Sequence, residues 1–97
     1  MRKWAFLYTL GPDATGPRVD TVGSPGCELV VVGVPAAGDA PAHVDGLVAD
    51  GVELIELCGA WGPADTAAVQ AAVGGRVPVG VVTYPCGEAA GLHRLFG

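Results

Sequence analysis

Basic residues are scarce in this sequence. Five lysine and arginine residues stand against ten aspartate and glutamate residues, which gives a formal net charge of −5. Arg2 and Lys3 are adjacent, whereas Arg18, Arg76 and Arg94 stand alone. A nucleic-acid interface needs a basic patch that neutralises several phosphates. The sequence offers no such patch, so we expect no nucleic-acid partner.

Long apolar runs are also absent. No stretch approaches the roughly 20 apolar residues that a membrane-spanning helix requires, so we expect no membrane partner. The opening segment MRKWAFLYTL has a charged start and a short apolar run, but it lacks the length and the cleavage site of a signal peptide. We interpret it as a first strand.

Cysteine is infrequent, and no cofactor motif is present. Cys27, Cys58 and Cys86 are widely spaced and odd in number, which favours a reducing cytoplasm over a disulfide-held secreted domain. Together with His93, these cysteines match no recognised zinc spacing, so no metal site is predicted. The GAWG segment at residues 59–62 and the glycine pair at residues 74–75 match no nucleotide-binding loop, so no cofactor is expected.

Aliphatic side chains are what the sequence has in excess. Hydrophobic residues make up 51% of the 97-residue chain, and the mean hydropathy is +0.47. The length predicts a single domain over residues 1–97. A chain this short buries only about 60–65% of its unfolded surface, so we expect a homodimer or a higher homo-oligomer that buries more. The alternative is a monomer with an unusually aliphatic core.

The apolar segments predict strands at residues 3–10, 27–35, 52–58 and 77–85, with a helix after each of the last three. Asp39 is the predicted N-cap of the first helix, whereas Pro63 and Gly74 bound the second. Residues 11–26 hold three prolines and four glycines. We interpret them as a long loop that contains at most a short extended piece.

Three of these strands are nearly continuous apolar runs, as is typical of parallel strands covered on both faces. The predicted fold class is α/β: a small, mostly parallel four-stranded sheet with a β-α-β-α-β-α core, helices packed on the sheet and the N-terminal strand added. Right-handed crossovers place the first two helices on one face. Either the terminal helix, with Leu92, Leu95 and Phe96, or a second subunit must cover the other face.

Ligands of open parallel sheets bind beyond the carboxyl ends of the strands, which here directs attention to the loops after the third and fourth strands. Glu56 lies within an apolar strand, where burial of an unpaired carboxylate is costly. It is a general acid or base with a raised pKa, the partner of Arg76, Arg94 or amide donors, or a carboxylate that reaches open solvent. Cys58 is a candidate nucleophile with His93 as its base, or a small packed residue.

Four further residues near these strand ends are candidates for binding a small-molecule substrate. Gly59 and Gly62 flank Trp61 on the loop after the third strand, and Tyr84 follows the fourth. Trp61 either covers a pocket or fills a gap against a helix. Tyr84 either donates a hydrogen bond to a ligand or keeps its hydroxyl in water.

The segments KWAF, GCELVVVGVP, GVELIELCGAWGP, VPVGVVTYP and GLHRLFG together resemble a family of small bacterial proteins of about a hundred residues that has no assigned function. The resemblance runs end to end, with Glu-Leu-Cys-Gly and Gly-Leu-His as its most distinctive pieces. It points to Glu56, Cys58, Gly59, Gly62 and His93 as motif positions without giving any of them a role. It implies no activity.

We therefore weigh two classes of function. The first is a small cofactor-independent acid–base enzyme of the isomerase, cyclase or lyase type that acts on a small organic metabolite in bacterial specialised metabolism, with Glu56, Cys58 and His93 as its catalytic residues. The second is a non-catalytic oligomeric protein that binds a small molecule or acts as a scaffold. A thiol-based redox sensor is a third option, and it requires a reactive Cys58.

Overall fold

The protein contains one five-stranded sheet in the order β2-β3-β1-β4-β5. A computed structural model describes all 97 residues. The strands are β1 (Lys3–Thr9), β2 (Arg18–Ser24), β3 (Cys27–Val34), β4 (Ile55–Leu57) and β5 (Val79–Val81). All but β2 run parallel to one another. The predicted α/β class with a mostly parallel sheet is confirmed.

The sheet has five strands instead of the predicted four because residues 11–26 contain β2. This strand pairs antiparallel with β3 through a two-residue turn at residues 25–26. The sequence predicts only a short extended piece at RVDTV, residues 18–22, because the residues of β2 are mostly exposed and its backbone hydrogen bonds are made to β3 alone. Gly23 has φ +109°, and a Cβ there would lie 2.3 Å from the Cys27 carbonyl oxygen, so only glycine fits.

The N-terminal strand is central to the sheet. β1 pairs with β3 on one side and with β4 on the other, so the N-terminal strand that the sequence adds to the core is inserted between two of its strands. Its alternating side chains supply both faces of the sheet, which explains why aromatic and small residues alternate along it.

The helices are α1 (Val44–Ala49), α2 (Pro63–Val73) and α3 (Ala89–Phe96), with 3-10 turns at Ala37–His43 and Cys86–Glu88. The second helix matches its prediction, and it ends at Gly74 in the left-handed conformation. Asp39 is not an N-cap of the first helix. It lies inside the 3-10 turn, where its carboxylate accepts a hydrogen bond from the Ala36 backbone N–H at 3.1 Å.

The core lies between one face of the sheet and the layer formed by the first 3-10 turn, α1 and α2. Buried residues alternate along the strands and so belong to a single face: Ala5 and Leu7 on β1, Val30, Val32 and Val34 on β3, Ile55 and Leu57 on β4. They meet Val44 and Leu47 of α1 and Val69 and Val73 of α2 in one cluster. Burial of these side chains is the main stabilising contribution to this fold.

The opposite face of the sheet, called the open face below, is covered by no helix, and only the Leu10 side chain reaches over it, at Gly33. Its central residues are Trp4, Phe6 and Tyr8 on β1, Leu29 and Val31 on β3, and Glu56 on β4, all half-buried by their neighbours. α3 does not cover them, because its Leu95 and Phe96 are 77% and 67% exposed. Of the two predicted ways to cover this face, the terminal helix is therefore the wrong one.

Candidate functional site

A hollow of about 600 Å³ lies at the carboxyl ends of β4 and β5, between α2 and the start of α3. This is where an open parallel sheet places its ligands. We call it the strand-end hollow. It is lined by Gly59, Trp61, Gly62, Pro63, Thr66, Gln70, Val81, Val82, Thr83, Tyr84 and Leu92. The structure thus brings together all four residues that the sequence nominated for binding a substrate.

Trp61 forms a fixed wall of this hollow. Its side chain is only 6% exposed and belongs to the core cluster. Its indole N–H donates a hydrogen bond to the Thr9 hydroxyl oxygen at 2.7 Å, which joins the loop after β4 to the end of β1. A tryptophan held at both its apolar body and its polar edge does not swing open as a lid.

Gly59 and Tyr84 meet at the other side of the hollow. A Cβ at Gly59 would lie 2.7 Å from the Val82 carbonyl oxygen and 2.8 Å from a carbon of the Tyr84 ring. The ring therefore rests on the glycine backbone, and no larger residue fits without displacing it. Tyr84 remains 49% exposed, and its hydroxyl has no hydrogen-bond partner within the chain, so it is free to bind a ligand.

The strand-end hollow contains no charged side chain. Its polar groups are the uncharged side chains of Thr66, Gln70, Thr83 and Tyr84. The first residues of α2 also offer no free anion site, because the Asp65 carboxylate accepts the Gly62 N–H at 3.2 Å and brings its own negative charge there. The arrangement favours an uncharged ligand over a phosphate or a carboxylate.

Glu56 lies on the open face, away from the strand-end hollow. It stands beside Phe6 and Gly80 in the middle of the sheet, is half-buried, and lines none of the four hollows of the molecule. Neither of the arginines suggested as its partner is paired with it, since Arg76 binds Asp45 at 2.6 Å and Arg94 makes no ion pair. Its carboxylate has no hydrogen-bond partner within the chain.

Cys58 and His93 share neither a hydrogen bond nor a hollow. Cys58 is half-buried at the end of β4 and packs against the core cluster, with its backbone N–H donating to the Leu7 carbonyl oxygen at 3.0 Å. His93 is exposed on α3 and lines a second hollow of about 360 Å³ that Gly59 and Tyr84 share. The structure therefore does not gather the three nominated catalytic residues at one place, but it does bring His93 near Tyr84.

Sequence reasoning missed the polar residues Thr66, Gln70 and Thr83. Thr66 and Gln70 are four residues apart, so they face the same way from α2. Their spacing was visible in the sequence, but only the crossover geometry shows that this side of α2 borders β5. Thr83 was included in the fourth strand, which in fact ends at Val81.

Fold and hollow together define a small α/β protein with one helix-covered sheet face and a largely uncharged hollow at its strand ends. The chain belongs to a family of unknown function (DUF6506), whose model matches residues 2–97. The family membership expected from the sequence is thereby confirmed. No curated protein and no solved structure matches the chain.

None of the helices has both the length and the apolar character to cross a bilayer. No three histidine, cysteine, aspartate or glutamate side chains are grouped so that they could hold a metal ion.

Proposed function

We propose that the protein binds a small, uncharged organic molecule in the strand-end hollow. The observation that carries this proposal is the lining, which combines apolar surface with four uncharged hydrogen-bonding side chains and no ionic group. The hollow's volume of about 600 Å³ falls within the roughly 300–1,000 Å³ typical of small-molecule sites.

Each part of the lining has a distinct use in this proposal. Val81 and Leu92 supply apolar contact, and the exposed part of the Tyr84 ring supplies a flat surface for stacking. Gln70 offers both a donor and an acceptor, and Thr83 offers a hydroxyl. A ligand with a planar apolar part and one or two amide, carbonyl or hydroxyl groups matches this arrangement.

A fragment screen followed by ¹H–¹⁵N spectra of the full chain tests the proposal. We expect neutral fragments to shift the amide signals of Gly59, Gly62 and Thr83, and matched carboxylate or phosphate fragments to shift none of them. Thr83→Val should weaken binding several-fold, whereas Thr21→Val, the same change on the distant strand β2, should not. Binding confined to anionic fragments, or shifts confined to other surfaces, would overturn the proposal.

An acid–base enzyme of the isomerase, cyclase or lyase type is the second candidate. The specific observation in its favour is that His93 and Tyr84 line one hollow, which adjoins the strand-end hollow through Gly59 and Leu92. An imidazole and a phenol close to a bound metabolite are suited to proton transfer. In this version His93 replaces Glu56 as the principal acid or base, because Glu56 lines neither hollow.

Turnover of any ligand found in the screen separates the two candidates. An enzyme should lose turnover in His93→Gln while keeping its affinity for the ligand, and His43→Gln, a change to the other histidine, serves as the matched control. Loss of turnover in a folded Glu56→Gln variant would instead identify Glu56, on the open face, as the acid or base. A ligand that is bound and never converted supports binding alone.

We also propose that the protein works in the cytoplasm. All three cysteines are free, and Cys27 and Cys86 are exposed. Exposed free thiols persist in a reducing compartment and are prone to oxidation outside it. Fractionation of the native host, with the protein followed by mass spectrometry, tests this location.

A further inference from the structure

The open face is a contiguous apolar surface on a sheet whose other face is covered by the helical layer except at the edge strand β2. Trp4, Phe6 and Tyr8 run along its central strand, with Leu29 and Val31 beside them on β3. The apolar surface continues outward to Val22 on β2, which is 51% exposed. Parallel sheets are rarely left open to water on one side, and apolar patches of this kind mark interaction sites.

The chain as a whole exposes more surface than a compact monomer of its mass is expected to expose. Its accessible surface is 5784 Å², whereas a compact monomer of 9.7 kDa is expected to expose about 5,100 Å². The radius of gyration is 13.8 Å, compared with about 12.5 Å expected for this length. The excess of about 700 Å² is close to the roughly 800 Å² that each partner buries in a standard protein–protein interface.

The charge on the open face fits contact with an identical face. Three charged residues of the strands point to this face, and two of them, Arg18 and Asp20, are paired with each other at 2.8 Å. Only Glu56 is left uncompensated, although the whole chain carries a net charge of −5. Most of the negative charge therefore lies elsewhere, and two such faces bring only one unpaired carboxylate each to the contact.

Gly33 leaves room for two apolar side chains on this face. A Cβ at Gly33 would lie 2.8 Å from the Tyr8 ring and 2.8 Å from the Leu10 side chain, so the tyrosine ring lies across the glycine. An apolar sheet face is the kind of surface that packs against a second sheet at a separation of about 10 Å.

We propose that two copies of this chain associate through their open faces to form a four-layer α/β/β/α homodimer. A second copy is the occupant that the observations favour, because a nearly neutral apolar face is its own complement in a two-fold contact. The contact is separate from the strand-end hollow, so the inference goes beyond the proposed function and does not depend on it.

Sedimentation equilibrium of the full chain, over a wide range of protein concentration, measures the association. We expect a species of twice the 9.7 kDa chain mass. Tryptophan fluorescence shows which surface is involved. The emission of Trp4 on the open face should shift to the blue on association, and that of buried Trp61 should not. Single Trp→Phe variants assign each emission.

Two matched substitutions on β2 locate the contact. Val22 lies on the open face and Val19 on the opposite face of the same strand, and both are more than half exposed, so Val22→Glu and Val19→Glu should both fold. We expect Val22→Glu to weaken the dimer about tenfold or more, because each copy then brings a new carboxylate to the contact. Val19→Glu should leave the dimerisation constant unchanged.

A wild-type chain that stays monomeric at all concentrations would overturn the proposal. Equal effects of the two glutamate substitutions on dimerisation would also overturn it. A dimer abolished by Leu95→Ser together with Phe96→Ser, but unaffected by Val22→Glu and Val31→Glu, would assign the contact to α3 and would also overturn it. Circular dichroism of each variant establishes that its fold is retained.

Discussion

The indole N–H of Trp61 donates a hydrogen bond to the hydroxyl oxygen of Thr9 at 2.7 Å, across 52 positions of the sequence. The bond joins the loop after β4 to the end of the central strand β1. It fixes one wall of the strand-end hollow to the most central element of the fold. The shape of the hollow therefore depends on the packing of the core as well as on its own loops.

Removing this hydrogen bond should cost a modest amount of stability. We expect Thr9→Val to lower the free energy of unfolding by about 1 kcal/mol, measured by urea denaturation. In a double-mutant cycle with Trp61→Phe, the two effects should not add, since either change removes the same bond. Thr21→Val on β2 is the control. Fully additive effects would show that the bond contributes nothing.

The close approach of Tyr84 to Gly59 predicts a strong effect of a single methyl group. Gly59→Ala places a Cβ 2.7 Å from the Val82 carbonyl oxygen, and overpacking of this kind costs about 1–3 kcal/mol. Gly80→Ala on β5 is the matched control, because no atom lies within 4 Å of a Cβ built there. Equal unfolding midpoints of the two variants would contradict the packing described for Tyr84.

The three thiols should differ in their reactivity. Cys27 and Cys86 are exposed, whereas Cys58 is half-buried against the core. We expect a neutral alkylating reagent to modify Cys27 and Cys86 first, as followed by peptide mass spectrometry over time. Rapid modification of Cys58 at neutral pH in the folded protein would instead support the redox-sensor hypothesis.

Alkaline pH should weaken the attachment of β1 to the end of α1. A hydrogen bond from the Lys3 ammonium to the Asp50 carboxylate at 2.8 Å, together with the charges of Asp50 and Glu28, raises the pKa of Lys3 above its ordinary value. The stabilisation is fully present below the unfolded pKa and is lost as the pH rises through the folded pKa.

Thermal melts of the wild type and of Lys3→Arg test this between about pH 9.5 and 11.5, because arginine stays charged over this range. The melting temperature of the wild type should fall relative to that of Lys3→Arg as the pH rises. A constant difference would show that Lys3 contributes no pH-dependent stability. The effect should be small, because the pair is exposed to solvent.

The regular elements of the fold were predictable because local sequence determines them. Pro63 and Gly74 bound α2 as expected, and the apolar runs of β3 and β4 predict a parallel sheet. β2 was not predictable, since an exposed edge strand has no apolar alternation and depends on its neighbour for pairing. The central place of β1 also depends on long-range pairing, which its own residues do not encode.

The candidate site was predictable in position and only partly in composition. The general placement of ligands at strand ends located Gly59, Trp61 and Tyr84 at the hollow. The same strand-end argument failed for Glu56, because residues that alternate along a strand point to opposite faces. Sequence alone did not show which face the helices would cover, and that choice is what left Glu56 on the open face. Its catalytic role stays a prediction.

The strand-end hollow lies at one end of the strands, whereas the open face is one of the two broad surfaces of the sheet. Residues that shape one of these surfaces, such as Thr83, do not touch residues that shape the other, such as Val31. Under the two proposals above, selection can consequently alter the ligand preference without loosening the dimer, and it can alter the dimer without changing what is bound. Related chains are free to diverge in one trait while holding the other constant.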